Sequence, residues 1–69
     1  MGRQYAKLKG EIREKYGTQS AFASDMGFTI STMSLKLNGK SEWTRAEIVK
    51  ACDLLGVPLS EAHNYFFTN

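Results

Sequence analysis

Sixty-nine residues, 42% of them apolar, are enough for one small domain and leave no room for a second module. So short a chain buries a modest core, with an expected net stability of roughly 3–5 kcal/mol. A net charge of +2 permits a polyanionic partner without requiring one, and the single cysteine, Cys52, excludes an intrachain disulfide and a multi-cysteine zinc site.

The spacing predicts a first helix over about 4–16. Tyr5, Leu8, Ile12 and Tyr16 recur on one face, while Lys7, Lys9, Glu11, Arg13, Glu14 and Lys15 form a solvated side, from which Arg3 and Lys7 are also within reach of a phosphate. Gly10 weakens this helix by about 1 kcal/mol relative to alanine, so it depends on packing. Gly17 stops it. Thr18 then caps a second helix over 19–26, in which Phe22 and Met26 share a face and small Ala23 marks a close helix approach. Gly27 falls where the chain turns sharply, because a left-handed backbone carries no steric cost at glycine. Thr29 caps a third helix over 30–38, whose Met33 and Leu37 point inward and whose Ile30, Ser31, Ser34 and Leu35 point outward.

The segment Thr18–Asn38 resembles the helix-turn-helix of the phage repressor and Cro family. The resemblance rests on Gln19, Ala23, the turn glycine Gly27, Met33 and the trailing Asn38-Gly39-Lys40, and it extends over nearly the whole chain. It is nearest to short phage-encoded Cro-like regulators with an aromatic tail, here Tyr65-Phe66-Phe67. It implies an all-α, compact five-helix repressor-like domain that places its third helix in the major groove.

Lys40-Ser41-Glu42-Trp43 follows as a polar loop, with Trp43 read as a core plug rather than a base-stacking ring, since readers of duplexes seldom stack bases. Thr44-Arg45-Ala46-Glu47 spells a capping box for a fourth helix over 45–55, which buries Ile48, Ala51, Cys52 and Leu55 before Gly56 ends it. Cys52 is most simply a small buried hydrophobe. Val57-Pro58-Leu59 forms a rigid link, and Ser60 caps a last helix over 61–66. For the aromatic tail, core closure and a dimer contact account equally well.

By similarity to the family, bases meet Ile30, Ser31 and Leu35, with Ser34 beside them. These residues depart from the Gln, Asn or Arg often found there. Thymine methyls suit Ile30 or Leu35, and the serines bond to several bases, so readout leans on phosphates and duplex shape. The family analogy gives phosphate contacts to Gln19 and Asn38, and spacing places Lys40, Ser41, Thr44 and Arg45 along the same edge. Lys36 either flanks the reading face or snorkels away.

The expected partner is double-stranded operator DNA, bound by a two-fold dimer formed at least on the duplex. The competing reading is a protein-interaction module of the same fold, an antirepressor or partner-binding subunit, favoured by the apolar outward face. No enzyme is expected, because catalytic Cys–His pairing, metal-ligand spacing and a phosphate-binding glycine loop are all missing. Nor is a cofactor, a metal, a small-molecule substrate or a membrane partner. The cytoplasm of a bacterial or phage-infected cell is the expected location, with no apolar run near the roughly 20 residues of a bilayer span and no leader at Met1-Gly2-Arg3-Gln4.

Overall fold

The computed structural model describes residues 5–66, and within them the chain forms α1 (Ala6–Tyr16), α2 (Gln19–Met26), α3 (Ile30–Leu37), α4 (Arg45–Leu55), a 3₁₀ turn (Leu59–Glu61) and α5 (Ala62–Phe66). The all-α, five-helix reading holds. Its boundaries move in three places. Gln4 lies outside the described residues, and α1 begins at Ala6 because Tyr5 takes a left-handed backbone (φ 51°) ahead of it. Asn38 sits past the end of α3 rather than inside it. The last helix starts at Ala62, because Pro58 leads the chain into the 3₁₀ turn and no side chain of that turn caps it; Ser60 does not act as the N-cap.

Three helix starts follow the sequence. The hydroxyls of Thr18, Thr29 and Thr44 accept the backbone N–H of Ala21, Thr32 and Glu47, and Glu47 completes the capping box by accepting the Thr44 N–H at 2.9 Å. The stop of α2 also follows it. At Gly27, φ is +81°, and the amides of Gly27 and Phe28 turn back onto carbonyls of the last turn, with Phe28 N–H reaching Ala23 O at 2.9 Å. The half-buried Phe28 ring lands against the core as the chain reverses.

The helices enclose one apolar centre. Leu8 and Ile12 of α1, Phe22 and Ala23 of α2, Met33 and Leu37 of α3, Ile48, Ala51, Cys52 and Leu55 of α4, and Tyr65 and Phe66 of α5 are all buried. Trp43 plugs the centre from the loop before α4. Its ring makes an edge contact with Phe66 at 5.0 Å and tilted contacts with Phe28 and Tyr5 at 6.2 and 6.4 Å. Tyr65 and Phe66 therefore close the core, as one of the two readings of the tail required; Phe67 lies outside the described residues. Tyr16 Oη donates to Asp25 Oδ2 at 2.9 Å and ties α1 to α2. Among the described residues no helix is long and apolar enough to cross a membrane.

The indole N–H of Trp43 is buried without an acceptor among the described residues. Trp43→Phe keeps most of the ring packing and removes that unpaired donor, so its cost in a thermal melt is expected to stay below about 1.5 kcal/mol. Trp43→Ala leaves a cavity under the loop and should cost about 3–5 kcal/mol, enough to unfold a domain of this size. A Cβ at Gly27 meets nothing within 4 Å. Gly27→Ala is therefore expected to lose only the backbone penalty, about 1–2 kcal/mol, and Gly27→Asn less, on the same melt.

Candidate interaction face

The stop at Gly27 and the Thr29 cap decide which side of α3 is free. Met33 and Leu37 face the core, and the remaining surface carries Ile30 (52% exposed), Ser31, Ser34 and Leu35 (48% exposed). All four residues assigned to base contact are thus exposed on α3. Asn38 follows at its end, where its side-chain amide donates to Ser34 Oγ at 3.3 Å. Lys40 and Arg45 are exposed, Ser41 is half-buried, and the hydroxyl of exposed Thr44 is engaged as the α4 cap. Gln19 is exposed at the start of α2 and lines a surface cleft of about 550 Å³ with Lys9 and Arg13 of α1.

Lys36 does neither of the things its position allowed. It runs inward, to 6% exposure, and its ammonium donates to Glu47 Oε1 at 2.9 Å and to the Glu42 carbonyl at 2.7 Å. The same ammonium lies 5.4 Å from the Phe28 ring centroid and 5.8 Å from that of Trp43. Sequence reasoning missed this pair because Glu47 already had a complete role in the capping box. The available signal was the place of Lys36 between Met33 and Leu37, on the edge of the buried stripe.

The pair sets the charge of the face. Burial pushes the Glu47 carboxyl up, but the Thr44 backbone N–H and the Lys36 ammonium outweigh it and hold the group below the usual carboxylate range. Of the three cations between Phe28 and Arg45, namely Lys36, Lys40 and Arg45, the first is consumed internally. Lys40 and Arg45 remain exposed, against the exposed carboxylate of Glu42. The face is therefore apolar and hydroxylic, and only weakly cationic. Among the described residues no group of three or more His, Cys, Asp or Glu side chains is placed to hold a metal ion. Burial raises the Cys52 thiol above its ordinary value, in keeping with an inert core residue.

Five short helices on one core, one of them with an outward surface of exposed Ile, Leu and Ser, define a small all-helical domain. The chain belongs to the family described as Protein of unknown function (DUF739), whose profile matches residues 1–69. Among solved structures it is similar to the solution structure of the modulator of repression (MOR) of the temperate bacteriophage TP901-1 from Lactococcus lactis. The two share 44% sequence identity over 99% of this chain and 92% of that one, with a TM-score of 0.85. No curated protein matches it. The relationship is to a small phage regulatory protein, a broader class than the repressor and Cro type.

The depressed Glu47 carboxyl fixes a sign. A group whose pKa is lower folded than unfolded adds stability above the unfolded value, and that stability is lost as pH falls through the folded one. Wild-type protein is therefore expected to lose more stability than Glu47→Gln on acidification from about pH 5 to pH 3, read by denaturant titration at each pH. Equal losses would show that Glu47 is not held ionised. At neutral pH, Lys36→Ala should cost about 2–4 kcal/mol, since it strands a part-buried carboxylate, and Lys36→Met less when combined with Glu47→Gln.

Proposed function

We propose that this protein is a phage regulator that acts on repression by docking the outward face of α3 onto a protein of the repression machinery, as a binding module and not an enzyme. One observation carries the reading. Ile30 and Leu35 stand about half exposed on the same helix while Lys36, the only cation of that helix, is withdrawn into an ion pair. Exposed apolar side chains flanked by hydroxyls suit the buried centre of a protein interface, where charged residues are depleted. They suit base edges less well, because neither bidentate amides nor a guanidinium is offered. The likeness to a phage modulator of repression supports the same assignment.

A second reading keeps its own support: a Cro-like, sequence-specific regulator with residues 30–38 in the major groove. Two short helices joined by a left-handed turn at Gly27 support it, as does Gln19 at the N-terminus of α2, which lines one cleft with Lys9 and Arg13. With Gln19, Asn38, Lys40, Ser41, Thr44 and Arg45 would contact phosphates. The molecule measures 28 Å in its longest direction, shorter than the roughly 34 Å between successive half-sites, so a two-fold operator would need two copies. Either mode belongs in the cytoplasm of the phage-infected cell, where repression is exerted.

The two modes separate on charge and salt. With the cognate phage repressor as probe, Ile30→Asp and Leu35→Asp are each expected to weaken binding by at least tenfold in calorimetry, with Lys40→Ala close to wild type. Fluorescence anisotropy on a randomised duplex pool should show no binding at physiological salt. If instead duplex is bound, with a steep salt dependence that Lys40→Ala flattens by about one unit, the DNA-reading mode replaces the first.

A further inference from the structure

Val49 and Leu59 are exposed by 42% and 51% and lie outside the α3 face altogether. Both line a single groove of about 460 Å³, whose floor is Trp43, Ile48 and Ala62 and whose rim carries Arg45 and His63. The groove forms because the rigid Val57-Pro58 link and the 3₁₀ turn hold Leu59 out from the core. Leu59 thus stands across from α4 instead of packing against it.

We propose that this groove is a second docking site, taken by an amphipathic helix of another protein that has aliphatic side chains one turn apart and carboxylates beside them. The groove supplies the aliphatic half of that match, a slot lined by Trp43, Ile48, Val49 and Leu59 into which side chains at i and i+4 insert. Charge complementarity supplies the other half. No carboxylate lines the groove. Glu47, nearest in sequence to Arg45, is bound to Lys36 and the Thr44 amide. Arg45 has no ion pair among the described residues, and the exposed Glu42 nearby does not line the slot, whose only basic groups are the Arg45 guanidinium and the His63 imidazole.

A second copy of this chain fits poorly. A two-fold contact through the groove would bring the Arg45 and His63 of both copies to one interface to which the groove lining contributes no carboxylate. The α3 face, the other exposed apolar surface, offers Ile30 and Leu35 with serines but no carboxylate. The groove shares none of the outward α3 residues Ile30, Ser31, Ser34 and Leu35; only Arg45 also borders that face, so Leu59→Asp and Ile30→Asp test the two surfaces separately.

The test uses a short helical peptide with leucines one turn apart flanked by glutamates, and its counterpart with lysines in place of the glutamates. The sole tryptophan, Trp43, lies in the groove floor and reports occupancy by its emission, while amide shifts map the site. The acidic peptide is expected to shift Trp43 emission and the amides around Val49, Leu59 and His63. Leu59→Asp and Arg45→Glu, both at exposed positions, should each weaken it at least tenfold, and the lysine peptide should bind at least tenfold more weakly. Ile30→Asp, which disables the α3 face, should leave the peptide affinity unchanged, so loss of one site is distinguishable from loss of the other. Shifts confined to α3, equal binding of the two peptides, no binding, or self-association abolished by Leu59→Asp without a peptide response would each overturn the proposal.

Discussion

The ammonium of Lys36 joins α3, the loop after it and the start of α4 at one point. It reaches from α3 to the carboxylate that caps α4 and to the carbonyl of Glu42 in the loop between them, under the rings of Phe28 and Trp43. Apart, the buried cation would lack a partner, and the part-buried carboxylate and the loop carbonyl would each lose a charged donor. Together they compensate one another's desolvation. The loop that carries Trp43 is thereby set, and Trp43 in turn closes the core against Tyr5, Phe28 and Phe66.

That arrangement has a consequence for chemistry at the surface. A lysine on a helix offered to DNA ordinarily contributes to the field that draws in a phosphate backbone. Here the one lysine of α3 faces the interior, and the helix presents aliphatic and hydroxyl groups to a partner. With that surface apolar and hydroxylic, the α3 face fits the protein docking proposed above better than it fits a duplex. Fold and binding mode are separable because the first depends on inward residues such as Met33 and Leu37 and the second on outward ones such as Ile30 and Leu35.

The groove beneath Leu59 adds a second surface of different character. The α3 face is convex, a helix side with half-exposed aliphatics. The groove is concave, floored by an indole and rimmed by a guanidinium and an imidazole. A regulator with two unlike surfaces can hold two partners at once, so that the presence of one alters the local concentration of the other.

The helices themselves were legible in the sequence because their determinants are local. Thr18, Thr29 and Thr44 cap within three residues, Gly27 supplies a backbone few other residues adopt, and the stripes of Leu8 and Ile12 or Ile48, Ala51 and Leu55 repeat at the helical period. Hence the outward set Ile30, Ser31, Ser34 and Leu35 could be named from spacing alone. The exact starts of α1 and α5 could not, since they turn on the backbone of Tyr5 and of the segment after Pro58. Nor could the fate of Lys36 or the groove between Val49 and Leu59. Those join residues eleven and ten positions apart in the chain, whose meeting depends on how α4 packs against its neighbours. Local rules set which face each helix turns outward; the tertiary packing decided what charge and shape that outward surface has.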